Sequence, residues 1–93
     1  MAITHVPGKK SKLVMLYALS TCGWCRKTRQ LLDDLGVAYD YEYVDLLEGD
    51  EREKAVQVII GWNPSTSFPT MVIDNKLCIV GFKEDEIKEA LGW

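Results

Sequence analysis

At Ser20 the hydrophobic pattern of the chain changes its period. Leu13 to Leu19 is a short uncharged run ended by Ser20-Thr21, which reads as a buried strand. From Cys22 onward, Trp24, Thr28, Leu31, Leu32 and Leu35 recur three and four residues apart. Arg26, Lys27, Asp33 and Asp34 occupy the other face, so the segment reads as an amphipathic helix. Gly36 suits its C-cap, where a left-handed backbone costs least in glycine.

The rest of the chain repeats the alternation. Val37, Tyr39, Tyr41 and Tyr43 alternate with Ala38, Asp40, Glu42 and Val44, predicting a second strand whose tyrosines share one packed face. Asp50 and Glu53 have capping-box spacing ahead of a helix through Ala55–Ile60, with Gly61 and Pro64 as stops. Thr70–Ile73 and Leu77–Val80 are β-prone runs around the polar turn Asp74-Asn75-Lys76, hence a hairpin. After Gly81, the residues Ile87, Ala90 and Leu91 mark a closing helix. The order is β-α-β-α-β-β-α. Strands joined through a helix run parallel with a right-handed crossover, so a mixed four-stranded sheet with helices on its faces is expected.

The 93 residues suit one domain, with residues 1–11 as a flexible start in which His5 has no role. A net charge of −3 disfavours nucleic acid, which needs a cationic surface. No apolar run approaches the roughly 20 residues that span a bilayer. Met1–Lys10 has no apolar core of the secretory kind, so a cytoplasmic location and no membrane partner are expected. The charged clusters read as solvated faces, except that Arg26, Lys27 and Arg29 follow the cysteines closely enough to favour a thiolate.

Cys22-Gly23-Trp24-Cys25 lies where the strand gives way to the helix. The thiolate is the reactive form of cysteine, and the free N–H groups and dipole of a helix N-terminus stabilise it. Spacing of three places both sulfurs on one helix face, within reach of a disulfide. Cys22 then attacks a substrate disulfide, and Cys25 attacks the Cys22 sulfur to release the reduced product. A structural zinc needs four ligands, and beyond the pair only Cys78 and His5 are on offer, in no recognisable spacing, so no metal site is assigned. Cys78 reads as a packed strand residue, and Trp62-Asn63-Pro64 as a turn of unassigned role.

Thr-Cys-Gly-Trp-Cys-Arg-Lys between strand and helix, Ser-Phe-Pro-Thr before a strand and Val-Gly-Phe before the last helix together resemble the glutaredoxin family, from Leu13 onward. The resemblance implies a thioredoxin fold of class α/β and a dithiol–disulfide oxidoreductase, expected as a monomer with no permanently bound cofactor. Its implied partners are disulfide-containing proteins, with glutathione or a dedicated disulfide reductase as electron donor. By the same resemblance Pro69 is a cis-proline facing the cysteines, and Phe68 offers its backbone to an extended substrate. Trp24, Gly81, Phe82 and Lys83 border the substrate groove, with Phe82 and Lys83 presenting helix-start amides to a carboxylate.

Three departures from the family pattern matter. Leu19 stands where many glutaredoxins place a lysine that pairs with glutathione. Phe82 replaces the second glycine of a Gly-Gly pair, and the resulting Gly-Phe is similar to the ribonucleotide-reductase type of redoxin, which is served by thioredoxin reductase. Gly23 replaces the proline usual in dithiol members, and relatives without that proline hold a [2Fe–2S] cluster between subunits with glutathione. An iron–sulfur carrier or sensor using Cys22 is therefore the alternative.

Overall fold

The structure, a computed structural model, describes residues 3–9 and 12–93. Its elements are β1 (Thr4–Val6), β2 (Val14–Ala18), α1 (Gly23–Leu35), β3 (Tyr39–Tyr43), a single 3-10 turn (Val44–Leu46), α2 (Gly49–Trp62), β4 (Thr70–Ile73), β5 (Leu77–Val80) and α3 (Glu84–Ala90). The sheet runs in the order β1-β3-β2-β4-β5. Strands β2 and β3 are parallel through α1, and β4 pairs antiparallel with both β2 and β5. This is the thioredoxin-like α/β arrangement expected from the sequence, with one strand more.

The extra strand is β1, which pairs antiparallel with β3 through Thr4–Tyr41 and Val6–Tyr39. It lies within the segment expected to be flexible. Three residues with no continuous apolar run carry no strand signal, and pairing to the edge of β3 supplies the missing partner. His5, assigned no role, places Nδ1 2.6 Å from Asp40 Oδ1 across this pair. For residues 1–2 and 10–11, the expected flexible start lies outside the described residues.

Alternation along β2 explains the layering. Val14, Leu16 and Ala18 are buried and point to one face, where they join Cys25 and Leu32 of α1 and Ile87 and Leu91 around α3. Met15 and Tyr17 point to the opposite face, which α2 covers with Ala55 and Ile59. Tyr39 is buried and Tyr41 and Tyr43 half-buried on the α1 side, so the three do share one face. Arg29 of α1 clamps them: its guanidinium lies 3.9 Å from the Tyr41 ring centroid and donates to Tyr39 Oη (3.2 Å) and Tyr43 Oη (2.8 Å).

Helix boundaries follow local chemistry. Gly36 caps α1 with φ +69°, and its N–H donates to the carbonyls of Asp33 and Leu32. The β4–β5 turn has Asp74 and Asn75 both at φ +53°, closed by Lys76 N–H to Ile73 C=O at 3.0 Å. Helix α2 departs from the capping-box expectation: it starts at Gly49, with Asp50 and Glu51 inside its first turn and no side chain capping it. There the carboxylates meet the positive end of the helix dipole instead. Gly61 does not stop the helix, which runs on to Trp62, because a single glycine weakens a helix without removing a hydrogen bond.

Candidate active site

The turn from β2 into α1 makes Cys22 the N-cap residue, with extended backbone (φ −91°, ψ 119°). The N–H of Cys25 donates to Cys22 Sγ at 3.2 Å, satisfying one of the orphan donors of the helix start with sulfur instead of the usual oxygen. Both cysteines are free thiols. Cys22 is half-buried, whereas Cys25 is 1% exposed and belongs to the core beneath it. Burial, above all, pushes the Cys25 thiol up to about 12. The hydrogen bond to Cys22, the Cys22 charge and the Asp45 charge add to that push.

Asp45, in the turn after β3, is a residue that sequence reasoning missed. It accepts the backbone N–H of Ser20 at 2.8 Å and the Ser20 hydroxyl, holding the turn that leads to Cys22. These hydrogen bonds from Ser20 hold its carboxyl below the usual value. Its proximity depends on the β2–β3 pairing, and its position in sequence, 23 residues after Cys22, offers no motif spacing.

The other candidate residues assemble from three segments. The Phe68–Pro69 peptide is cis, and Pro69 is fully buried. The Pro69 carbonyl accepts the N–H of Gly81 at 2.8 Å, joining β4 to the start of the α3 loop. Phe68 is half-buried against the core. Trp24 is 58% exposed and stacks on Phe82, with ring centroids 6.0 Å apart and an interplanar angle of 22°. Trp24 and Phe82 thus form an aromatic pair at the start of α1, and Gly81, next to Phe82 in the chain, ties that pair to the buried Pro69. Phe68 also lines a cavity of about 190 Å³ with Leu19, Asp45, Arg52 and Thr66.

Charged residues near the site are engaged with one another or with aromatic rings. Lys83 stands at the N-cap of α3, with its Nζ 3.7 Å from Glu86. Helix α3 is only seven residues long and opens with Glu84, Asp85 and Glu86, so its first turn repels a carboxylate. The basic group after the cysteines is also divided by the fold. Lys27 Nζ sits 4.8 Å over the Trp24 ring, while Arg29 is committed to the tyrosines of β3. Cys78 is half-buried in β5, facing a cavity of about 510 Å³ shared with Lys12, Glu86 and Glu89. It is less packed than expected because β5 is the sheet edge.

Comparison with known proteins agrees with this geometry. The Glutaredoxin family model matches residues 14–78. The crystal structure of the glutaredoxin from Methanosarcina mazei Go1 is similar over 100% of this chain and 90% of its own, with 54% identity and a TM-score of 0.92. Methanoredoxin from Methanosarcina acetivorans is similar over 92% of this chain and 90% of its own, at 49% identity and TM-score 0.90. The Gene 56 protein of Mycobacterium phage D29 is 31% identical over 86% of this chain and 83% of its own length. With a strand–helix cysteine pair, a thioredoxin-like sheet and a family match across most of its length, the chain belongs to the glutaredoxin family and is a glutaredoxin-like dithiol oxidoreductase.

Proposed function

We propose that the chain reduces disulfides in protein substrates by dithiol exchange, with Cys22 as the attacking sulfur and Cys25 as the resolving one. The observation that carries this reading is the Cys25 N–H aimed at Cys22 Sγ across 3.2 Å at the start of α1. Negative charge on that sulfur meets a donor hydrogen bond and the positive end of the helix dipole.

The Cys22 thiolate attacks one substrate sulfur, the substrate S–S bond breaks, and the departing sulfur leaves with the electron pair and takes up a proton. Cys22 is then held in a mixed disulfide. Cys25 loses its proton and its sulfur attacks Cys22 Sγ, forming the Cys22–Cys25 disulfide and releasing the second substrate thiol. Two electrons have passed to the substrate, and a thiol donor restores the pair by the reverse exchange. The timing of ionisation follows from the environment of Cys25. Its thiol is held up to about 12, chiefly by burial and also by the hydrogen bond and charge of Cys22. Capture of Cys22 in the mixed disulfide removes that charge, so Cys25 becomes easier to ionise at the step that needs it.

The substrate lies, in this reading, along the backbone of Phe68 beside cis-Pro69. Trp24, Gly81, Phe82 and Lys83 border it, the stacked rings of Trp24 and Phe82 offering an apolar face to a protein chain. The protein works as a monomer in the cytoplasm with no permanently bound cofactor. A [2Fe–2S] cluster takes four thiolates. Held between two subunits, it would draw only Cys22 from each chain and the other two thiolates from glutathione, whose binding Leu19 and the acidic first turn of α3 disfavour, so the dithiol reading is preferred.

The donor we favour is a dedicated disulfide reductase over glutathione. Leu19 replaces the pairing lysine, and the acidic first turn of α3 disfavours the glutathione carboxylate. The test is to equilibrate the oxidised protein with reduced glutathione, quench in acid, alkylate and weigh. A chain that resists glutathione yet is readily reduced by a dithiol supports the reading. Rapid reduction through a glutathione adduct on Cys22 makes glutathione the donor. A pair that neither reductant opens overturns the dithiol mechanism.

A further inference from the structure

Asn63 follows α2 and is only 6% exposed, and its side chain is not spent on the helix. The backbone N–H already closes α2 by donating to Ile59 C=O at 2.6 Å. The amide reaches forward instead. Its Nδ2 donates to Ser67 C=O at 3.1 Å, to Ser67 Oγ at 3.2 Å and to Thr70 Oγ1 at 3.2 Å, while its Oδ1 accepts Ser65 Oγ at 2.6 Å. Thr70 Oγ1 in turn donates to Ser67 C=O at 2.7 Å, closing the network. Asn63 C=O accepts Thr66 N–H at 2.9 Å, with Thr66 held at φ +51°.

Ser67 and Thr70 bracket the cis peptide Phe68–Pro69. Among the described residues no hydrogen bond engages the N–H or C=O of Phe68 itself. One buried amide therefore fixes the residues on both sides of a peptide whose middle is left with free donor and acceptor. A buried network whose members are all satisfied specifies a single conformation, and losing its central donor strands several acceptors at once.

We propose that Asn63 is the positioning residue for substrate backbone recognition: through Ser67 and Thr70 it holds Phe68 so that its free N–H and C=O face an extended peptide beside Cys22. The assignment rests on the dithiol-exchange reading above. The loop is presented ready-made, so the substrate is spared the cost of ordering it.

The test compares two disulfides on the reduced full chain. One is an extended synthetic peptide carrying a mixed disulfide; the other is bis(2-hydroxyethyl) disulfide, which has no backbone to pair with Phe68. Asn63→Asp keeps the size of the side chain and removes its N–H donors. The ratio of kcat/KM for the peptide over the small disulfide should fall about tenfold, with the loss lying in the peptide KM. Asn63→Ala should behave alike. Should both variants fail to fold, Thr70→Val, which deletes one arm of the network at nearly constant volume, decides: a fall in the same ratio supports the assignment and an unchanged ratio overturns it. Folded Asn63 variants with an unchanged ratio, or with both disulfides slowed equally, also overturn it. An unaltered chain that reduces neither disulfide overturns the oxidoreductase reading, and the assignment with it; that outcome is distinct because it appears before any substitution.

Discussion

The backbone N–H of Cys25 donates to the sulfur of Cys22 at 3.2 Å, so the buried cysteine helps to hold the half-buried one from which it is three residues distant. The two thiols differ in environment by more than spacing implies. Cys22 caps the helix at its open end, and Cys25 sits one turn in, enclosed by the core.

This asymmetry separates the effects of removing either sulfur. Cys22→Ser should lower disulfide reduction by on the order of 10³-fold or more, as expected for loss of an attacking group. Cys25→Ser should still attack and should accumulate a mixed disulfide on Cys22, visible by intact mass. Full activity in Cys22→Ser would falsify the assignment.

Reduced protein should lose stability at alkaline pH. The Cys25 thiol moves from an ordinary value of 9.0 to about 12 in the folded state, chiefly through burial. The folded state thus keeps the proton longer than the unfolded chain. Relative stability is fully present below 9.0 and falls as pH rises towards about 12, by roughly 1.4 kcal/mol per pH unit for one proton. Tyr39, also raised to about 12, slopes the same way. Urea titrations across this range should show a shallower loss in Cys25→Ala, and an identical slope would contradict the burial argument.

Arg29 should matter for stability although it carries a surface charge. Arg29→Met retains an apolar stem but loses the hydrogen bonds to Tyr39 and Tyr43 and the stacking on Tyr41. A cost of about 1–3 kcal/mol is expected in chemical denaturation. The exposed His5–Asp40 pair forms the contrast, and His5→Ala should change stability by less than about 1 kcal/mol.

The Trp24–Phe82 stack should report on protein substrates and not on the chemistry of the sulfur. Phe82→Ala removes the 6.0 Å partner of an exposed tryptophan. The KM for a protein disulfide should rise about threefold to tenfold, in keeping with an aromatic contact worth about 1 kcal/mol. The alkylation rate of Cys22 by iodoacetamide is the control, and equal losses in both measurements would place Phe82 with the reactive thiol instead.

Most of the architecture was legible because it depends on local periodicity. The three-and-four spacing from Trp24 to Leu35 gave way to period two from Val37, and both helix and strand formed there. Gly36 and the Asp74-Asn75 turn were readable because left-handed backbone favours few residue types. Strand β1 was not legible: three residues have no periodicity to show, and their pairing depends on an open edge of β3 supplied from far along the chain.

The candidate site divides in the same way. Cys22, Cys25 and the Phe68–Pro69 pair carry their chemistry in residue type and order, so the sequence by itself determined the strand–helix dithiol, the family and the class of reaction. Tertiary structure alone decided what surrounds them: Asp45 on the Ser20 turn, Asn63 beneath the cis peptide, Phe82 against Trp24, and Arg29 turned away to the tyrosines. The physical reason is that hydrogen bonds and ring contacts between distant segments depend on strand register and helix placement, and a linear chain records neither until the sheet has paired.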